Sequence, residues 1–169
     1  MNTITRRALG ALTIASLMAL TACANLTGDR PAANVAQRIA QTPELSTFAT
    51  LLEQSGLKAS LEGPTPVTVF APTNDAFKAL PAATLEKLTK NPDALKAALT
   101  FHVVPGLIKS SAIDGATTLT TQNGAKLNVA KAGSYLTVEE ALATQTDLPA
   151  GNGLVQVIDG VLLPPAPKK

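Results

Sequence analysis

Few residues in this chain carry side chains suited to covalent or proton-transfer chemistry, and their spacing limits what they can do. The chain has 169 residues with one histidine, His102, and one cysteine, Cys23. That count excludes zinc clusters, disulfide frameworks and Cys–His catalysis within one chain. A Ser–His–acid triad would need His102 beside an exposed serine, but Gly133-Ser134-Tyr135 lacks the pattern of a nucleophile elbow. Gly151-Asn152-Gly153 precedes a strand-like run rather than a helix, so it is no phosphate-cradling loop. Glu139 and Glu140 are adjacent and point apart on a strand, whereas paired-carboxylate hydrolysis needs two acids facing one cleft. Asp75 reads as an exposed or helix-start carboxylate. Asp159 reads as a turn residue accepting local backbone donors rather than a metal ligand. His102 follows Phe101 in an apolar strand with no carboxylate nearby in sequence, so it reads as a hydrogen-bonded structural histidine. The expectation is a chain that is not an enzyme and has no cofactor or metal, with a hydrolase as a remote alternative.

The composition agrees with a folded module. Hydrophobic residues make up 46% and charged residues 15%, which excludes a disordered polyelectrolyte. Aromatics are 3%, with no tryptophan, which disfavours base-stacking and sugar-platform sites. The formal charge of +2 comes from 14 Lys and Arg against 12 Asp and Glu, and two of the cations are Arg6 and Arg7. Without that N-terminal segment the balance is 12 against 12, so nucleic acid is not an expected partner.

Residues 1–22 read as a signal peptide. Arg6 and Arg7 precede the uncharged, mostly apolar stretch Ala8–Leu20, which falls short of the ~20 residues a membrane-spanning helix needs. Leu20-Thr21-Ala22-Cys23 resembles the bacterial lipobox, in which the cysteine becomes the lipidated first residue. The resemblance implies a thioether-linked diacylglycerol on Cys23 and three acyl chains in a Gram-negative host. Several chains hold where one would not, because each buried CH₂ contributes ~0.8 kcal/mol. Ala24 is not the aspartate associated with inner-membrane retention, so the expected location is the outer membrane, facing the periplasm or the cell surface. Thr5-Arg6-Arg7-Ala8-Leu9 loosely resembles a twin-arginine signal as well, leaving the export route open. Residues 23–33 read as a flexible, lipidated tether and residues 165–169 as a disordered tail.

The folded unit is then residues 34–164, a single domain. Asn34 is a cap for a short helix carrying Val35 and Ile39, and Thr42-Pro43 and Asn91-Pro92 are cap–proline starts. Leu45, Phe48, Leu51 and Leu52 recur at helical spacing before Gly56, and Pro81 opens a helix bearing Leu85 and Leu88. Strand signals follow at Val67–Phe70, Phe101–Val104, Thr117–Thr121, Lys126–Val129, Tyr135–Val138, Leu154–Ile158 and Val161–Leu163. Asn123-Gly124 signals a hairpin whose two residues both accept positive φ, and Asp159-Gly160 a second tight turn. Helices early and strands late predict an α+β fold, with helices on one side of a mainly antiparallel sheet or sandwich.

Three segments carry a family resemblance. Thr68-Val69-Phe70-Ala71-Pro72-Thr73-Asn74-Asp75-Ala76-Phe77 resembles the first sequence box of the fasciclin (FAS1) domain. Asn152-Gly153-Leu154-Val155-Gln156-Val157-Ile158-Asp159-Gly160-Val161-Leu162-Leu163-Pro164 resembles the second. Phe101-His102-Val103-Val104-Pro105-Gly106 is similar to the central Tyr-His segment, with Phe for Tyr. The resemblance implies a wedge-like β-sandwich with several helices packed on one side. It also implies that Thr68, Phe70, Pro72, Thr73, Asn74, Phe77, Phe101, His102, Asn152, Gly153, Asp159 and Gly160 are structural or interaction residues. From the residues themselves, Thr73 or Asn74 can cap the turn after Pro72, and Gly153 and Gly160 are expected to meet unusual φ. Gln156 stands where the family often has His, so no role of that His is transferred. The family's Tyr-His segment is linked to integrin recognition, which is not carried over because Phe101 lacks the hydroxyl. The functional expectation is an anchored adhesion or protein-interaction module that meets the membrane through its lipid and an unidentified protein or surface through its domain. The alternative is a carrier of an apolar small molecule such as a carotenoid, as the resemblance permits, which would need an apolar cleft of a few hundred Å³.

Overall fold

The computed structural model describes residues 34–164. The leader, Cys23, the tether and the 165–169 tail lie outside the described residues. Among the described residues no helix is long and apolar enough to cross a membrane.

The helices start where side chains can satisfy free N–H groups. Asn34 accepts the Gln37 N–H at 2.8 Å and opens α1, Val35–Gln41. Thr42, expected to cap the next helix, instead donates its hydroxyl back to the Arg38 carbonyl at 2.8 Å. Pro43 therefore opens a 3₁₀ turn, Pro43–Leu45, ahead of α2, Ser46–Gln54. Gly56, at φ +71°, ends that run, and a short α3, Lys58–Leu61, follows without a clear sequence signal. The remaining helices are α4, Asn74–Ala79, α5, Ala82–Lys90, and α6, Pro92–Phe101. Asn91 caps α6 by accepting the Asp93 and Ala94 N–H groups, with Pro92 at the first helical position as expected. Leu85 and Leu88 of α5 are half-buried.

Seven strands form one hydrogen-bonded series: β1, Val67–Pro72, β2, Val103–Pro105, β3, Gly115–Thr120, β4, Lys126–Ala132, β5, Tyr135–Val138, β6, Ala141–Ala150, and β7, Gly153–Ile158. Their order is β2-β1-β7-β6-β5-β4-β3. Only β1 and β7 run parallel, and every other neighbouring pair is antiparallel. Alternation divides two cores. Val67, Val69, Ala71, Val155 and Val157 face the helices and pack with Val35, Ile39, Phe48, Leu52, Phe77 and Leu99. Phe70, Val104 and Ile158 face the other way and join Phe101, Leu127, Val129, Leu136 and Val138. Residues of β1 and β4 thus share one core although three strands separate them in the sheet order. The sheet must curl over to allow this, and the Gln122 N–H closes the curl by donating to the Val103 carbonyl at 2.7 Å. The result is the α+β, wedge-like sandwich with helices on one side.

Several local readings need correction. Phe101 and His102 are not in a strand: α6 runs through Phe101 and His102 is its C-cap, because the β-branched run starts only at Val103. Val161–Leu163 is no strand, since the Leu162 N–H is turned to the His102 ring at 3.0 Å. The Asn123-Gly124 hairpin is present, but its last strand pair is Thr120 with Lys126, leaving a five-residue loop in which only Gly124 has positive φ, +82°. β6 was not signalled at all.

Candidate functional site

The end of α6 places His102 in the interior. The ring is 1% exposed and stands against Phe48, centroid to centroid 5.6 Å. Nε2 accepts the Leu162 N–H, so the proton of the neutral ring sits on Nδ1 and is donated to the Ala98 carbonyl at 2.7 Å. Burial lowers its pKa to about 4, against a smaller upward pull from that carbonyl. His102 is therefore a neutral strut joining α6 to the chain after β7, with both nitrogens engaged. Its own carbonyl accepts the Phe70 N–H at 2.9 Å, tying it to β1.

The first motif builds β1 and α4. Phe70 and Phe77 are buried in separate cores. Thr68, fully buried, donates to the Gly106 carbonyl at 2.7 Å and accepts the Ile108 N–H at 2.9 Å. Pro72 ends β1 opposite Ile158, and Thr73 caps α4 by accepting the Ala76 N–H at 3.2 Å. Asn74 has a different task. Its Oδ1 accepts the Thr47 N–H at 2.9 Å and its Nδ2 donates to the Pro43 carbonyl at 2.9 Å, so it caps α2 from another helix. Asp75 pairs with Lys78 at 2.8 Å on the exposed first turn.

The second motif does similar work. Asn152 accepts the Val35 N–H at 2.8 Å and donates to the Leu61 and Gly63 carbonyls, each at 2.7 Å. Asp159 accepts the Leu142 N–H at 2.7 Å from the neighbouring strand rather than from its own turn. Neither Gly153 nor Gly160 has the positive φ expected of it. Space is the reason for both. A Cβ on Gly153 would lie 2.1 Å from the Val67 carbonyl oxygen and 2.6 Å from Val35 Cγ2, and one on Gly160 would lie 2.8 Å from Ala141 Cβ. The three motif segments thus meet on the adjacent strands β2, β1 and β7 and their turns. They do not converge on one reacting centre.

A polar cluster lies beside them that sequence reading missed. Gln156, 1% exposed, accepts the Asp147 N–H at 3.0 Å and donates to Asp147 Oδ1 at 2.9 Å and to the Ile108 carbonyl at 3.3 Å. Asp147, at φ +58°, also accepts both the N–H and the hydroxyl of Ser110. Burial alone would raise the Asp147 pKa, but these donors and nearby Lys109 outweigh it and leave it lowered. A carboxylate so stabilised is a weak base, with no histidine between it and Ser110, so the pair fastens a loop rather than activating a nucleophile. The only sequence sign was Gln156, a polar residue inside an otherwise apolar strand.

Open clefts border this framework. One of about 640 Å³ lies between Phe101, Lys126, Glu139, Glu140 and Leu163, and another of about 660 Å³ runs past Glu44, Asn74, Asp75 and Asp159. Among the described residues no group of three or more His, Cys, Asp or Glu could hold a metal ion.

A family model described as the Fasciclin domain matches residues 43–164. The protein sll1483 of Synechocystis is 40% identical over 122 residues, covering 71% of this chain and 67% of that protein. The cell surface glycolipoprotein MPB83 of Mycobacterium bovis is 39% identical over 137 residues, covering 78% of this chain and 61% of its own length. The chain therefore spans about three fifths to two thirds of these curated relatives. In shape, a FAS1 domain pair from the insect cell adhesion molecule Fasciclin I matches with a TM-score of 0.62 at 17% identity, over 79% of this chain and 51% of that one. The chain belongs to the fasciclin domain family.

Proposed function

We propose that this chain is a lipid-anchored, extracytoplasmic adhesion or protein-interaction module without catalytic turnover. The observation that carries the reading is how the motif polar groups are engaged. Thr68, Asn74, His102, Asn152 and Asp159 each bond to backbone of another segment, so they build the scaffold and leave no free acid, base or nucleophile among themselves. A scaffold of that kind acts through its surface. Kinship with a cell surface glycolipoprotein and structural likeness to a cell adhesion molecule support a role outside the cytoplasm. The lipobox-like Leu20-Thr21-Ala22-Cys23 supports a thioether anchor at Cys23 and an outer-membrane position facing the periplasm or cell surface.

Fractionation tests the anchor. Cys23→Ala is expected to move the protein from the membrane to the soluble periplasmic fraction, and unchanged membrane retention would refute it. Crosslinking on the intact cell, followed by identification of what the domain captures, tests the interaction role. A metabolite converted by the wild type and spared by His102→Gln would overturn the non-enzymatic reading.

A further inference from the structure

The two ends of the parallel pair β1 and β7 differ in chemistry. Where the strands begin, with Val67 beside Gly153, an open cleft of about 420 Å³ is bordered by Pro64, Pro66, Leu107 and Pro149. Leu107 is 58% exposed, the three prolines are exposed, and Lys109 is the charged residue in the lining. Of the acids close by, Asp147 is engaged by Ser110 and Gln156, and Glu62 lies in the field of Lys58. Where the strands end, with Pro72 beside Ile158, the chemistry reverses. Two clefts there expose Glu44, Asp75, Glu139, Glu140 and Asp159, together with Lys126 and with Lys78, which pairs with Asp75.

We propose that the end bearing Leu107 rests on the membrane that holds the Cys23 lipid, with Leu107 and the prolines in the headgroup layer and Lys109 on lipid phosphate. This names a surface that the anchored-module reading leaves open, and it rests on that reading for the lipid. The backbone at this end is already prepared for the loss of water. Thr68 gives the Gly106 carbonyl a donor at 2.7 Å and the Ile108 N–H an acceptor at 2.9 Å. The Gly106 N–H donates to the Pro66 carbonyl at 2.8 Å, and Gln156 donates to the Ile108 carbonyl at 3.3 Å. Pro64, Pro66, Pro105 and Pro149 have no N–H to leave unpaired. Unpaired backbone is costly in an apolar layer, so a loop satisfied from within can carry Leu107 into one.

Chain length selects a lipid surface as the occupant. The Val35 N–H donates to Asn152 Oδ1 at 2.8 Å, and Asn152 and Gly153 stand in the cleft wall, so the chain enters the domain at this end. Residues 23–33 join the lipid to Asn34, and these 11 residues span at most ~40 Å. A domain of this size has a radius of ~18 Å, so setting its acidic end on the membrane would take the chain ~45 Å down one side. That is out of reach, whereas the Leu107 end lies well within it. Charge acts in the same sense, since anionic lipid attracts Lys109 and repels the acids at the far end. Tethering supplies a ~mM effective concentration, so a contact of this small area suffices.

The test uses the full lipidated chain reconstituted into vesicles of phosphatidylethanolamine and phosphatidylglycerol. With Cys23 acylated, Leu107→Cys carries the one free thiol, and a fluorophore placed on it reports its depth. Lipids spin-labelled at the headgroup should quench it several-fold more than the same fluorophore on Glu140→Cys at the acidic end. Pro64→Cys is a second reporter at the docked end, and it keeps the comparison should Leu107→Cys lower the thermal midpoint. Leu107→Glu combined with Lys109→Glu should drop quenching at Pro64→Cys to the Glu140→Cys level, while the protein still floats with the vesicles. Equal quenching at the two ends, stronger quenching at Glu140→Cys, or quenching at Pro64→Cys that survives both glutamates would overturn the docking and leave the anchor standing. A chain that fails to float overturns the anchor at Cys23, and the docking with it.

Discussion

Acid should loosen this fold through one residue, His102. Its ring is buried and neutral, and burial lowers its pKa from 6.5 to about 4. The unfolded chain takes up a proton near the ordinary value, whereas the folded chain resists it. The stability His102 contributes is therefore complete above pH 6.5, falls as the pH drops from there to about 4, and changes no further below. At ~1.4 kcal/mol per pKa unit, that gap corresponds to a loss of about 3 kcal/mol. Protonation has a local reason to be costly: Nε2 would acquire a hydrogen that points at the Leu162 N–H 3.0 Å away. Urea unfolding at pH 7, 6, 5 and 4 reads the effect directly. With a slope of ~2 kcal/mol per molar urea, the midpoint should move down by roughly 1.5 M across the window. His102→Gln should be less stable at pH 7, since the Ala98 carbonyl and the Leu162 N–H lose partners worth ~1–3 kcal/mol each, yet its midpoint should be nearly flat over the same range. Carboxylates titrate in both proteins, so the difference between the two curves isolates His102. Equal slopes in wild type and variant would refute the argument.

Two further expectations test the motif geometry. Gly153→Ala should prevent folding or cost more than ~4 kcal/mol, because its new Cβ meets the β1 backbone at 2.1 Å, whereas Gly160→Ala, facing a side-chain methyl at 2.8 Å, should fold with a loss of ~1–3 kcal/mol. Soluble yield and thermal midpoint rank the two, and equal behaviour would contradict the close-approach account. Asn74→Ala should lower stability by ~1–2 kcal/mol through the uncapped start of α2, and hydrogen exchange should rise at Thr47 before it rises in α4.

Much of the fold was legible because local chemistry and tertiary need agree. Asn34 and Asn91-Pro92 announce helix starts that the structure keeps, and Val67–Phe70 and Leu154–Ile158 are apolar because both of their faces are covered. Other parts were hidden for identifiable reasons. β6 shifts register twice against β7, carries Asp147 at positive φ and includes Pro149, so neither a period of two nor a β-rich composition survives in Ala141–Ala150. Thr42 offered the right cap chemistry, but an upstream carbonyl claimed its hydroxyl. Of the candidate site, residue identities were legible and roles were partly so. That Thr73 or Asn74 caps the turn after Pro72 was readable, and Thr73 does so; that Asn74 instead caps α2, through the Thr47 N–H 27 residues back, depends on how the chain folds.

The distribution of these roles says where binding can reside. The motif strands β2, β1 and β7 lie between two cores, and their polar side chains hold loops and helix ends from within, so a partner can reach few of them. Altering such a residue changes stability before it changes recognition, which makes the motifs poor guides to what the module touches. The opposite end of the sheet has no such burden. β3 faces solvent on five of its six residues and contributes one half-buried leucine to the core. Substitution there is cheap for the fold, so variants of β3 can be tested for contact without first changing stability.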